Sequence, residues 1–141
     1  MAGACPAEFI ELAERLAAAS GAVIRELFRT PFTVDRKSDA TPVTIADREA
    51  ERTMRELIAE AYPDHGILGE EHGNDRVDAE HVWVLDPIDG TRSFIAGKPI
   101  FGTLISLTRN GAPIMGVIDQ PINGERWIGA VGLQTTFNGA P

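Results

Sequence analysis

One short segment constrains this 141-residue chain more than any other: residues 83–91, with the sequence WVLDPIDGT. Its apolar first part predicts a buried strand, and Pro87, which fixes φ and has no N–H to donate, predicts the end of that strand. Gly90 permits a tight turn that another group can approach closely. Two carboxylates, Asp86 and Asp89, and several free amides would then share a small space. Because like charges repel and free amides attract anions, the segment predicts a divalent metal ion beside a phosphate.

The composition predicts a globular domain and argues against several classes of partner. The chain is long enough for one core, and its 43% hydrophobic and 24% charged residues are typical of globular domains. A formal net charge of -8 argues against nonspecific binding of nucleic acid, which needs a basic surface. A single cysteine, Cys5, together with no predicted transmembrane segment or secretory signal, favours the cytoplasm and no membrane partner.

Helical periodicity predicts two amphipathic helices in the first half of the chain. Apolar residues recur at three- and four-residue spacing over residues 7–29, and Pro31 ends that helix. A second helix begins near Thr44, where Thr44 and Asp47 resemble a capping box, and it ends before Pro63.

Strand signals dominate the second half. The predicted strands are residues 32–34, 67–68, 82–85, 101–108, 114–118, 126–131 and 135–137. One helical turn is predicted at residues 93–96. Asn-Gly pairs separate the predicted strands at residues 101–108, 114–118 and 126–131 and indicate hairpins, and a third pair follows residues 135–137. Residues 72–80 are predicted to be a polar surface connection. We therefore expect an α+β fold in a single domain over residues 1–141, with two N-terminal helices packed on a largely antiparallel sheet.

Five acidic residues form three groups that could supply oxygen ligands. These are Asp47 at a predicted helix start, Glu70 and Glu71 after a short strand, and Asp86 with Asp89. Taken singly, each group has an ordinary structural interpretation as a helix-terminal charge, a solvated loop pair or turn residues. Together, with no cysteine or histidine cluster, they favour Mg²⁺ over zinc.

Histidine and tryptophan side chains are less informative. His65, His72 and His81 stand apart in the sequence, which favours surface loops over catalysis. Trp83 and Trp127 lie in predicted strands, where a core or interface position is favoured over a substrate platform.

Successive motifs resemble those of the inositol-monophosphatase-like, Mg²⁺-dependent, lithium-sensitive phosphatases. The motifs are Lys37, residues 41–47 (TPVTIAD), residues 68–71 (LGEE) and residues 83–91. The resemblance runs from about residue 37 onward and implies the N-terminal part of the layered αβαβα fold of that family. Within it, residues 92–127 are most similar to the histidinol-phosphate phosphatase branch.

The resemblance implies a ligand set for two or three Mg²⁺ ions. Glu70, Asp86 and the backbone carbonyl of Ile88 would hold the first ion. Asp86 would bridge to a second ion that Asp89 also binds, and Glu70 would help to order a third.

The resemblance also implies catalytic and phosphate-binding residues. Asp47 and Thr91 would hydrogen-bond the attacking water, with Glu70 counted among the catalytic residues. Asp89 and the amides of Gly90 and Thr91 would contact the substrate phosphate. Lys37 would lie in a supportive loop over the site.

The implied activity is that of a phosphomonoesterase acting on a small phosphorylated metabolite. The branch implies hydrolysis of L-histidinol phosphate to L-histidinol and phosphate, and inositol 1-phosphate or another sugar phosphate is the alternative substrate. An alternative of another class is an inactive metal-binding or regulatory fragment.

The family takes a further metal-ligating aspartate from a Trp-Asp motif in its C-terminal half, and no Trp-Asp occurs here. We therefore expect the chain to be an N-terminal half, with the C-terminal α/β half absent and with little activity alone. The family also implies a homodimer.

Overall fold

The computed structural model describes residues 3–37 and 42–141, which fold into three helices and nine strands. The elements are α1 (Ala7–Leu27), β1 (Asp35–Arg36), β2 (Pro42–Val43), α2 (Ile45–Ala61), β3 (Gly66–Gly69), β4 (Gly73–Asp75), β5 (His81–Asp89), α3 (Thr91–Ile95), β6 (Gly102–Arg109), β7 (Ala112–Gln120), β8 (Glu125–Ala130) and β9 (Thr136–Phe137). Seven strands form one sheet in the order β4-β3-β5-β6-β7-β8-β9. Among the strands of the described residues, β3 with β5 is the only parallel pair, so the predicted α+β class with a largely antiparallel sheet is confirmed.

Helices α1 and α2 pack on one face of this sheet. Trp83, Leu107 and Met115 lie side by side across β5, β6 and β7, and all three are buried. Leu16 of α1 and Met54 of α2 belong to the same buried cluster, because the apolar stripe of each helix faces the sheet. None of the helices in the described residues is both long and apolar enough to span a membrane.

The opposite sheet face is less covered. Ile118 of β7 is 54% exposed and its cross-strand partner Trp127 of β8 is 47% exposed. The ring of Trp127 lies 4.4 Å from that of Phe137, so the two aromatic side chains shield each other in part.

The predicted end of a strand at Pro87 is wrong, because β5 continues through it to Asp89. The register between β5 and β6 shifts between Asp86 and Asp89, and Pro87 lies in this irregular stretch. A missing N–H is tolerated where the ladder is already interrupted. The Thr103 hydroxyl donates to the Pro87 carbonyl at 2.8 Å, which ties the irregular stretch to β6.

Two further local predictions are corrected. The strand predicted at residues 32–34 lies instead at Asp35–Arg36, where it pairs with Pro42–Val43. The polar connection predicted at residues 72–80 contains β4, which turns back at Gly73 (φ +79°) and pairs antiparallel with β3. Thr41, the first residue of a predicted motif, lies outside the described residues.

His65 and His81 are not isolated, which corrects the prediction of separate surface positions. Their rings stack with centroids 4.9 Å apart, and His65 also stacks on Tyr62 at 4.5 Å. The ring of Phe9 contacts both histidines, and the Trp83 indole N–H donates to His65 Nδ1 at 3.0 Å. These five residues form an aromatic cluster between α1, the end of α2 and the start of β5.

The aromatic cluster predicts that His65 contributes less to the stability of the fold as the pH decreases. Burial, followed by the nearby His81, lowers the pKa of His65 below its ordinary value of 6.5, against the opposing charges of Asp64 and Glu80. In the unfolded chain His65 is therefore protonated near pH 6.5, whereas in the folded chain it is protonated only at a lower pH. The contribution of His65 to the free energy of unfolding is therefore fully present above pH 6.5 and should be lost as the pH decreases below it.

A His65→Gln variant keeps an acceptor for the Trp83 indole and removes the titration. Its melting temperature should fall less steeply between about pH 7 and about pH 5 than that of the wild type. His72→Gln replaces an exposed histidine outside the aromatic cluster and is the matched control for the loss of a histidine as such. Parallel profiles for wild type and His65→Gln in thermal unfolding would contradict a role for His65.

Candidate active site

The start of α2 positions Asp47, which is 1% exposed. Thr44 is the N-cap, and the predicted capping box is present. Asp47 Oδ2 accepts the Thr44 backbone N–H at 3.0 Å and the Thr44 hydroxyl at 2.7 Å, while the Asp47 N–H is donated back to Thr44 Oγ1 at 3.3 Å. The other oxygen, Oδ1, lies 3.4 Å from the Thr91 hydroxyl.

The end of β5 places Asp86, Ile88, Asp89 and Gly90 directly before α3. Gly90 has φ +99° and ψ +41°, a conformation that favours glycine, and an added Cβ would lie 2.9 Å from the Ile100 carbonyl oxygen. The chain therefore turns sharply here. The Thr91 hydroxyl, at the first position of α3, donates to the Ile88 carbonyl at 3.1 Å.

The turn after β3 places Glu70 and Glu71 beside Lys37. Lys37 Nζ lies 2.6 Å from Glu71 Oε1 and 3.2 Å from Glu70 Oε2. Burial opposes the charge on Lys37, but the hydrogen bonds and charges of Glu71 and Glu70 hold the pKa of Lys37 well above its usual range. Burial raises the pKa of Glu71, and the Lys37 ammonium opposes this increase. Lys37 therefore forms ion pairs with both glutamates.

Negative charge accumulates where these three segments meet. Burial, the Glu70 charge and the Asp89 charge raise the pKa of Asp86 to about 6, and Lys37 offsets only part of this. Burial also raises the pKa of Asp47, against the hydrogen bonds from Thr44. The carboxyl groups of Asp86 and Asp47 are therefore less easily ionised than in water, and a cation placed beside them would be stabilised.

The structure brings the predicted site residues to one end of the sheet, but it does not arrange their side chains as a complete coordination site. Among residues 3–37 and 42–141, no three Asp, Glu, His or Cys side chains converge closely enough to hold an ion. The side chains of Glu70 and Glu71 instead meet the Lys37 ammonium. The predicted ligand set and the predicted phosphate contacts stay predictions.

Glu51 is a residue that the sequence interpretation missed. It is 0% exposed, lies one helical turn after Asp47, and accepts backbone N–H groups of Glu71 and His72. The sequence gives little indication that Glu51 is buried, because it flanks the apolar stripe of α2 as solvated acids often do.

Comparison with known proteins places the chain in a family. The sequence model of the inositol monophosphatase family matches residues 6–141. The chain belongs to the inositol monophosphatase family. The predicted resemblance is thereby confirmed, and it extends further toward the N-terminus than the motifs from residue 37 indicated.

Members of the inositol monophosphatase family with high similarity include the "Bifunctional phosphatase IMPL2, chloroplastic" of Arabidopsis thaliana. It is 54% identical over 93% of this chain and 38% of its own length. The "Histidinol-phosphatase" of Chlorobaculum parvum is 41% identical over 94% of this chain and 51% of its own length. A solved inositol monophosphatase from Zymomonas mobilis superposes with a TM-score of 0.79 at 50% identity, covering 94% of this chain and 51% of that one. The chain thus spans about half the length of these relatives, or less.

Proposed function

We propose that this chain forms the metal-binding and phosphate-binding part of a Mg²⁺-dependent phosphomonoesterase. The observation that carries the proposal is the accumulation of negative charge at the end of β5, where Glu70, Asp89 and burial together raise the pKa of Asp86 to about 6. Carboxylates that oppose one another in this way are the donors that Mg²⁺ prefers. Family membership supports the same chemistry.

The oxygen donors at the end of β5 and in the β3–β4 turn are of the chemical kind that Mg²⁺ takes. Glu70, Asp86, Asp89 and the Ile88 carbonyl would hold two or three ions, with Asp86 shared between two of them. When bound, Mg²⁺ would polarise the phosphoryl group and make water a stronger nucleophile.

The other site residues would bind and orient the reactants. Asp47 Oδ1 and the Thr91 hydroxyl lie 3.4 Å apart, and both would hydrogen-bond the attacking water. Asp47 is suited to hold that water because burial raises its pKa and Oδ2 is already occupied by Thr44. The amides of Gly90 and Thr91, with Asp89, would contact the phosphate oxygens. Lys37 would supply a positive charge beside Glu70.

L-histidinol phosphate is the proposed substrate of the whole protein, and inositol 1-phosphate is the alternative. Relatives with either kind of name match this chain, and a histidinol-phosphatase at 41% identity supports the first choice. Phosphate release from both compounds, measured on the whole protein with and without Mg²⁺, tests the proposal. Mg²⁺-dependent release that prefers histidinol phosphate would support it, and a preference for inositol 1-phosphate would contradict the substrate.

We propose that residues 1–141 alone have little activity, because members of this family take a further ligand from a C-terminal half. Release by the purified 141-residue chain at rates near those of the whole protein would contradict this. If the whole protein binds Mg²⁺ but hydrolyses neither ester, the alternative of an inactive metal-binding protein is favoured. A cytoplasmic location and a homodimer remain proposals, the former supported by the free, buried thiol of Cys5.

A further inference from the structure

Helix α2 carries a second buried acid that the proposed chemistry does not use. Glu51 follows Asp47 by four residues and its carboxylate is fully buried. Glu51 Oε1 accepts the backbone N–H of Glu71 at 3.0 Å, and Oε2 accepts that of His72 at 2.7 Å. Oε2 also accepts Nε of Arg55 at 3.1 Å. Glu51 thus binds the backbone of the turn that presents Glu70.

Two neighbours of Glu51 on the same helix face hold the same turn. Arg55 donates through Nη2 to the Gly73 carbonyl, and the His72 ring Nε2 lies 3.0 Å from the Arg48 carbonyl. Arg48, Glu51 and Arg55 are spaced by three and four residues, which puts them on one face of α2. Three successive residues of the turn therefore contact this face.

Gly69 shows how closely the turn is pressed against this helix. A Cβ at Gly69 would lie 2.7 Å from Glu51 Cδ and 2.6 Å from Arg55 Nη2. Glu51 is buried and held by two amides, so it has no room to move aside. The end of β3 can approach α2 to this distance only because residue 69 has no side chain.

We propose that Glu51 is a positioning residue that holds the β3–β4 turn so that Glu70 is directed at the end of β5. Without it, the mutual repulsion between Glu70 and Asp86 would favour a turn that swings away from the site. Hydrogen bonds to a buried carboxylate are stronger than those between neutral groups, so the single side chain of Glu51 is enough to hold the turn in place. The inference rests on the proposed function, because it assigns Glu51 to the support of a Mg²⁺ ligand.

The test uses Glu51→Gln, which keeps the shape of the side chain. A glutamine can accept one of the two amides but must turn its NH₂ group toward the other. Hydrogen exchange of the metal-free protein should therefore become about 10-fold faster at the amides of Glu71 and His72. The dissociation constant for Mg²⁺, measured by calorimetry, should increase about 10- to 100-fold, as for other supporting contacts of metal ligands.

Glu49→Gln is the matched control on the same helix. Glu49 is an acid whose side chain is 40% exposed and pairs with Arg52, and its replacement should change neither exchange in the turn nor Mg²⁺ affinity. Gly69→Ala is a second variant, whose methyl group would force the end of β3 away from the Glu51 carboxylate without removing its charge, and it should reproduce both effects of Glu51→Gln. Circular dichroism establishes that each variant is folded before either measurement.

Each outcome decides between a positioning role and its absence. Unchanged exchange at the turn in both Glu51→Gln and Gly69→Ala would overturn the proposal. Faster exchange with an unchanged Mg²⁺ affinity would also overturn it, since Glu51 would then be a structural residue only. If the wild-type protein binds no Mg²⁺, the proposed function itself is contradicted. This outcome is distinguishable from a failure of the Glu51 proposal, because it appears without any substitution.

Discussion

An Asp86→Asn variant should lose measurable Mg²⁺ binding and, without metal, should unfold at a higher temperature than the wild-type chain. Asp86 would be shared between ions, so its loss removes a ligand from each. The same substitution removes the charge that opposes Glu70 and Asp89. After allowance for screening by solvent, relief of that repulsion should add about 1 kcal/mol to the free energy of unfolding, or about 3 °C. Calorimetric titration with Mg²⁺ and thermal unfolding in a chelator measure the two effects.

Opposite signs for binding and stability distinguish a functional acid from a structural one. Asp78→Asn, at an exposed position outside the site, is the control and should leave Mg²⁺ binding and the melting temperature unchanged. Retained Mg²⁺ binding in Asp86→Asn would remove Asp86 from the ligand set. A lower melting temperature in that variant would show that the carboxylate stabilises the fold instead of straining it.

A Trp83→Ala variant should lose about 3 to 5 kcal/mol of unfolding free energy. Trp83 is 0% exposed and lies among buried residues of α1, α2 and the central strands. Its removal leaves a cavity that a sheet packed on two helices cannot close. A loss of this size is a large part of the stability of an ordinary domain, and urea unfolding measures it.

Two further tryptophan variants separate burial from hydrogen bonding. Trp127→Ala removes the same residue type from an exposed strand position, 47% accessible, and should cost no more than about 1 kcal/mol. Trp83→Phe keeps most of the packing but loses the indole N–H to His65 Nδ1, and should cost about 1 kcal/mol for that bond together with a smaller packing loss. Equal losses for Trp83→Ala and Trp127→Ala would contradict this account of the core.

Features set by a few neighbouring residues could be predicted from the sequence. The capping box needs only Thr44 and Asp47, three residues apart, and both reciprocal hydrogen bonds are present. The hairpin between β6 and β7 needs only Asn110 and Gly111, which have φ of +49° and +82°. Local backbone chemistry decides such features, so distant residues do not change them.

Features that depend on distant partners could not be predicted. A proline normally ends a strand, and β5 passes through Pro87 only because its partner β6 is locally out of register there. The stacking of His65 on His81 requires β3 and β5 to be parallel neighbours. Glu51 has the sequence context of a solvated acid, and only the fold brings the β3–β4 turn to it.

The candidate site is intermediate between these cases. The motifs identify which acids are present, and the order of the strands explains why they meet, because β3 and β5 end at the same edge of the sheet. The contact of Lys37 with both Glu70 and Glu71 was not predictable, since it depends on the path of the chain before β2.

The two oxygens of Asp47 have different partners, and this links folding to the assembly of the site. Oδ2 closes the first turn of α2 through Thr44, and Oδ1 faces Thr91 at the start of α3. The helix therefore cannot begin at its native residue without also orienting this carboxylate for the site. Substitutions that remove Asp47 should slow or weaken formation of the α2 N-terminus as well as alter the site, so a relative that lost this acid would need another N-cap partner to keep the same helix start.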